Sequence, residues 1–233
     1  MPQAPTSRFA ALLQPGAAAW MVNAGGPSVD VVDMLARSGT SCVFIDCERS
    51  AIGIESVTAM VRCAHANGIA AVLRSESAQP ELLVRYLDRG IDGLVVPHTE
   101  TVEELQAVGE AVDYVTRGQR GRVFAIAQIE SRGALENVEA LAASAAVDGF
   151  LIGPNDLAHS LGVATQLDHP SVVAGVDRAV AALSRHARPW GLPAHPATAP
   201  QWVRRGAQFL YAPLEQILKA GWAPWAAAAR PIS

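Results

Sequence analysis

The feature that most constrains this chain is a rhythm. Eight short runs of apolar and β-branched residues recur along it: "AAWMVNA" (18–24), "CVFIDCE" (42–48), "AAVLRS" (70–75), "GLVVPHT" (93–99), "VFAIAQIE" (123–130), "GFLIGP" (149–154), "PWGLPAH" (189–195) and "FLYAPL" (209–214). The runs are almost unbroken rather than alternating, the pattern of parallel strands covered on both faces. Between them lie stretches with helical spacing. "ESVTAMVRCAHANG" and "PELLVRYLDRG" end in the glycine that often terminates a helix, and "VEELQAVGEAV" and "GALENVEALAAS" have the same character. Eight strand–helix units predict an α/β fold, a (β/α)8 TIM barrel, with a doubly wound sheet as the alternative. A length of 233 residues suits one such domain over 1–233, and no linker or low-complexity block divides it. The tail "AGWAPWAAAARPIS" is the one anomaly. Its two tryptophans fit either a surface covered by another subunit or ordinary packing on the chain's own barrel.

Composition removes several function classes. The net charge of −4 comes with no basic block, which argues against nucleic acid as a partner. No apolar run approaches the ~20 residues that cross a membrane, and the first residues lack the ordered parts of an export signal. Cys42, Cys47 and Cys63 are odd in number and lack CxxC spacing. A disulfide framework or structural zinc is therefore not expected, and a reducing cytoplasm is.

Nearly every strand finishes on an ionisable residue: Asp46, Glu48 and Arg49, then Arg74, His98, Glu130, Asp156 and His195. In a parallel barrel those ends form the active-site face. Glu130 and Asp156 close the fifth and sixth strands, which are neighbours, so their carboxylates can converge on one cation. Two carboxylates without a Cys or His cluster suit a hard ion such as Mg²⁺ or Mn²⁺, with positions left for water and a chelating substrate. Arg74 would match a substrate carboxylate through its planar fork.

The string "IAQIESRGALENVEALAASAAVDGFLIGPNDLAHSLG", together with "FIDCE", "LRSESAQPELLVRYLDRGIDGLVVPHTETVEEL" and "DHPSV", resembles the signature of the HpcH/HpaI class II pyruvate aldolases across most of residues 40–175. The resemblance implies a metal-dependent carbon–carbon lyase akin to the 4-hydroxy-2-oxoheptanedioate and 2-keto-3-deoxy-sugar-acid aldolases. Such an enzyme cleaves a 4-hydroxy-2-oxo acid to pyruvate and an aldehyde through a metal-stabilised enolate. It further implies that Glu130 and Asp156 hold the divalent cation, Mg²⁺ or Mn²⁺ ahead of Co²⁺ or Zn²⁺. Arg74 then binds and polarises the pyruvate part, Gln128 lines the metal site, and backbone groups near Gly153 and Asn155 hold the pyruvate carboxylate. The assembly it implies is a homo-oligomer, a hexamer of exchanged dimers. Two other readings stand beside it: an oxaloacetate-type decarboxylase or other pyruvate-enolate condensing enzyme, and a non-catalytic 2-oxo acid binding protein.

The chain also departs from that pattern. Where the family has Glu-His after the second strand, with the histidine as catalytic base paired to an aspartate on a neighbouring helix, "DCERSAIG" keeps Glu48 but places Arg49 at the histidine position. The aspartate corresponds to Asp88. A guanidinium stays protonated and is a poor base. Arg49 is either a surface residue packed against Asp88 or a receptor for a second carboxylate or a phosphate. In the second case Glu48, His98 or metal-bound water handles the proton. The segment before the fifth strand, "YVTRGQRGRVF" (114–124), is short for the family, which predicts a more open pocket or one shaped by another subunit. Cys47 is read as a packing residue.

Overall fold

The computed structural model describes residues 6–229. Each of the eight apolar runs forms a strand: β1 (Ala19–Asn23), β2 (Cys42–Asp46), β3 (Ala70–Arg74), β4 (Gly93–Val96), β5 (Phe124–Ile129), β6 (Gly149–Ile152), β7 (Trp190–Pro193) and β8 (Phe209–Pro213). All pair in parallel and in chain order, and β8 returns to β1 from Ala19 opposite Phe209 to Asn23 opposite Pro213. That last pairing closes a barrel and excludes the open doubly wound sheet. The surrounding helices are α1 (Arg8–Leu12), α2 (Val29–Arg37), α3 (Ile54–Ala66), α4 (Pro80–Leu87), α5 (Val102–Thr116), α6 (Arg132–Glu136), α7 (Val138–Ala143), α8 (Pro154–Ser160), α9 (Pro170–Arg185), α10 (Ala199–Arg204) and α11 (Leu214–Ala228).

Local chemistry starts these helices where the strands stop. Thr101 and Glu104 form a reciprocal capping box on α5, and Ser28 caps α2 through the Val31 N–H. Proline opens α4, α8 and α9, where its missing N–H carries no penalty.

The strands separate two cores. Outward side chains such as Val43, Ile45, Leu73, Leu94 and Ile129 pack under the helices. Inward ones, two residues apart along each strand, form a compact inner core: Ala19 and Met21, Cys42 and Phe44, Ala70 and Val72, Phe124 and Ile126. Gly191 in β7 lets β8 approach, since a Cβ there would lie 2.1 Å from the Phe209 carbonyl oxygen.

Three segments depart from the sequence expectations. Helix α1 has no counterpart among the expected elements and plugs the N-terminal end of the barrel. Its Phe9 is fully buried, edge-on to Phe124 and Phe209 at 5.5 and 5.7 Å between ring centroids. The short segment before β5 connects the end of α5 to the start of that strand, so it lies at the plugged end. Its Arg120 pairs with Asp113 instead of lining a pocket, and its shortness therefore does not open the mouth of this barrel. Finally, α11 has no buried residue, and Leu218, Trp222 and Trp225 are 59, 66 and 73% exposed. Packing of those tryptophans on their own barrel is thus not what the chain does. An apolar groove of about 1220 Å³ runs beside α11, lined by Trp20, Val22, Val203, Leu210 and Ile217.

Candidate active site

The two-residue alternation that builds the inner core continues to the C-terminal mouth and there changes chemistry. After Met21 comes Asn23, after Phe44 comes Asp46, after Val72 comes Arg74, after Ile126 come Gln128 and Glu130, and after Phe209 comes Tyr211. Arg74, Gln128 and Tyr211 line a cavity of about 270 Å³ together with Phe44, Arg49, Gly153, Asn155 and Asp156, and Asn23, Asp46 and Glu130 lie behind them. That volume lies just below the ~300–1,000 Å³ usual for drug-sized ligands and suits a small acid. The larger groove beside α11 has no carboxylate or guanidinium in its wall.

Arg74 is held rigidly. Its Nε and Nη2 donate to the two oxygens of Asp46 at 3.0 and 2.7 Å, a two-pronged pairing. Asp46 is buried and also accepts the backbone N–H groups of Glu48 and Arg49, and Asn23 donates to it at 3.3 Å while bonding Tyr211. Burial works against the Arg74 charge, but Asp46 and Glu48 outweigh it and raise the guanidinium's pKa. Asp46 engages two of the five N–H donors of the fork and Nη1 faces Glu48 Oε2 at 2.9 Å, so the N–H groups turned away from these two carboxylates remain for a ligand.

Glu130 lies just past β5 and is buried. One oxygen accepts the Gln128 amide at 2.5 Å, and the other accepts the His98 backbone N–H at 2.8 Å. His98 adopts a left-handed backbone (φ 57°), uncommon for a residue with a side chain, and its ring bridges Glu130 and Glu48 at 3.2 and 3.3 Å. Burial pushes the Glu130 carboxyl pKa up. His98 opposes the shift, and the carboxylates of Glu48 and Asp156 add to it. Gly153 makes room for this carboxylate, since a Cβ there would stand 2.9 Å from Glu130 Cβ and 3.1 Å from its Oε2. Asp156 sits in the first turn of α8, a helix without a side-chain cap. The Gly153 N–H is taken by the Ile129 carbonyl and Pro154 has none, so the N–H groups of Asn155 and Asp156 are left for water or a ligand.

Arg49 reaches across the mouth to Asp156, Nη2 to Oδ1 at 2.7 Å, with its Nε 3.5 Å from Glu48 Oε1. It does not meet Asp88. That residue is the exposed C-cap of α4, a helix that runs away from the mouth toward the plugged end, and it forms no ion pair among the described residues. The expected contact between Arg49 and Asp88 is therefore corrected: within one chain the barrel separates them. His195 is also absent from the cavity wall and lines the outer groove instead. Glu48, Arg49, Arg74, Gln128, Glu130, Gly153, Asn155 and Asp156 do come together. The strand-end signal misses Asn23, Phe44 and Tyr211 and leaves Asp46 without a role. Counting in steps of two from Met21, Val72 and Phe209 would have placed them.

The donor set fits a divalent cation. Four carboxylates (Asp46, Glu48, Glu130, Asp156) face two guanidiniums (Arg49, Arg74), an excess of two negative charges when His98 is neutral. Gln128 Oε1 is buried without a partner, and Glu48 Oε2, though 2.9 Å from Arg74 Nη1, receives no hydrogen bond. No three His, Cys, Asp or Glu side chains among the described residues form a complete cage, so the protein offers only part of a coordination sphere. A parallel barrel with a mouth of carboxylates and guanidiniums has the form of an enzyme active site at the C-terminal ends of its strands. Residues 20–210 match the HpcH/HpaI aldolase/citrate lyase family, and the chain belongs to it. It is 30% identical over 210 residues to a pyruvate aldolase of Rhizobium etli, covering 81% of this chain and 83% of that protein. It is 31% identical over 232 residues to a hydroxypyruvate/pyruvate aldolase of Sagittula stellata, covering 88% and 90%. A family protein of solved structure from Burkholderia cenocepacia superimposes with a TM-score of 0.88 at 23% identity, covering 97% of this chain and all of that one, and shares the fold.

Proposed function

We propose that this chain is a divalent-cation-dependent pyruvate aldolase, a carbon–carbon lyase that releases pyruvate and an aldehyde from a 4-hydroxy-2-oxo acid. The observation that carries the reading is the Arg74 fork, locked by Asp46 and Glu48, facing the same small cavity as Asp156 and Gln128, which holds Glu130 behind it. A bound divalent cation supplies Lewis acidity toward the ketone and carboxylate oxygens of the 2-oxo acid. Glu130 and Asp156 hold it, and their oxygen-only chemistry favours Mg²⁺ or Mn²⁺ over Co²⁺ or Zn²⁺. Gln128 orients Glu130. Arg74 donates N–H groups to the oxygen on which enolate charge develops, and donors fixed in advance lose nothing to reorientation during reaction. The backbone N–H groups of Asn155 and Asp156, just after Gly153, receive the pyruvate carboxylate. Arg49 is no base and Asp88 lies outside this mouth, so the proton of the 4-hydroxyl falls to Glu48 or to His98, whose ring lies 3.3 Å from Glu48 Oε1.

The bare apolar face of α11 and the groove beside it support a homo-oligomer in which a second copy covers both. Three cysteines without a disulfide support a cytoplasmic setting. No helix among the described residues is long and apolar enough to cross a membrane.

The test is turnover of chelator-stripped enzyme given pyruvate and a short aldehyde, and separately oxaloacetate, before and after Mn²⁺ is added. Carbon–carbon bond formation that appears only with the cation is expected. Full activity after stripping would reject the cation's role, and decarboxylation of oxaloacetate without any condensation would reject the aldolase assignment.

A further inference from the structure

The two carboxylates read above as the cation's ligands are held by partners of different kinds. The partners of Glu130 are an amide, a backbone N–H and an imidazole. Asp156 instead carries a guanidinium, Arg49 Nη2 at 2.7 Å from its Oδ1. That contact occupies a donor oxygen and places a positive charge beside it, both unfavourable to a divalent cation. Arg49 is only lightly anchored, with its side chain 56% exposed. A second acceptor stands next to it: Glu48 Oε1 lies 3.5 Å from Arg49 Nε and 3.3 Å from the His98 ring, while Glu48 Oε2 faces Arg74 Nη1 at 2.9 Å.

We propose that Arg49 is a resident counter-ion of Asp156 that competes with the divalent cation for this carboxylate and shifts onto Glu48 when the cation binds. The inference rests on Glu130 and Asp156 being the cation's ligands. The shift needs only side-chain rotation, because Arg49 already spans both acceptors and its backbone N–H stays on Asp46. Its effect is to spare the cation-free mouth the full repulsion of its carboxylates, at the expense of affinity for the cation. The loaded mouth then presents Arg49 beside Glu48, next to Arg74 in the cavity wall.

Direct Mn²⁺ titration of stripped enzyme tests this without turnover, since the free ion's paramagnetic resonance signal reports what remains unbound. Arg49→Gln is expected to bind Mn²⁺ about two- to fivefold more tightly than the wild type, the scale of a half-exposed ion pair. Glu48→Gln, which removes the second acceptor, should weaken Mn²⁺ binding in the wild type and do so less once Arg49 is Gln. Circular dichroism confirms that each variant is folded. Equal or weaker Mn²⁺ binding by Arg49→Gln would overturn the proposal while leaving the ligand assignment standing. A wild type that binds no Mn²⁺, or an Asp156→Asn variant that binds it undiminished, would overturn the ligand assignment and the proposal with it.

Discussion

At the N-terminal end of the barrel Phe9 rests between Phe124 and Phe209, and Ser7 ties the plug down by donating to the Asp92 and Gly121 carbonyl oxygens. At the C-terminal end the same inward-facing rows finish on Asp46, Arg74, Gln128 and Tyr211, with Asp156 and Arg49 above them. The strands and their alternation are shared, so the difference is one of solvent and chemistry. The plugged end excludes water and contributes apolar burial. The open end stays wet, and its charges are tolerated because almost every one faces an opposite partner. Stability and function are therefore concentrated at opposite ends of one set of strands, and separate substitutions can reach them.

The largest effect should come from the plugged end. Phe9→Ala removes a fully buried ring and should lower the free energy of unfolding by about 3–5 kcal/mol, while the folded fraction turns over at the wild-type rate. Urea denaturation alongside kinetics checks both halves, and an unchanged midpoint would show that the plug seals without stabilising. The open end should respond in the opposite way. Arg74→Lys keeps a charge but loses the fork held by Asp46, so kcat/KM should fall on the order of 10²–10³-fold, with a smaller loss of stability than Phe9→Ala. Wild-type kcat/KM in that variant would remove Arg74 from the reaction. The smallest effect concerns Cys47, which lies between Asp46 and Glu48 in the chain yet points out of the barrel into the helix-facing core. Burial pushes its thiol up from 9.0 to about 11. Alkylation at pH 8 should therefore run about a hundredfold more slowly than at a free thiol, with Cys63 modified first. Rapid native labelling of Cys47 would place it on the cavity side.

Much of the site was legible because it depends on spacing along single strands. An apolar run ending in an acid, as at Glu130, or in an arginine, as at Arg74, announces a strand whose last inward position meets solvent. Asp156 was legible for a similar reason, since Gly-Pro-Asn-Asp after a strand marks the first turn of a helix. Arg49 was not: whether it meets Asp88 or Asp156 depends on which rim of the barrel each occupies, and sequence proximity of motifs does not report that. Asn23 and Tyr211 stayed hidden because neither is charged and each works by bonding to the other from strands that adjoin only through ring closure. Helix α1 is too short to carry a periodic signal.

By itself the sequence determined the eight strand–helix units and the residues that end them, because both follow from local periodicity and from backbone chemistry within a few residues. It also determined that two acids and an arginine would share one face, since parallel strands in chain order all present their C-terminal ends together. Only the tertiary structure decided which charges became partners, that Arg49 lies on Asp156 while Asp88 faces away, and that a five-residue helix closes the other end. Those outcomes depend on closing a ring between residues nearly two hundred positions apart, and on electrostatic pairings that exist only once the ring is closed.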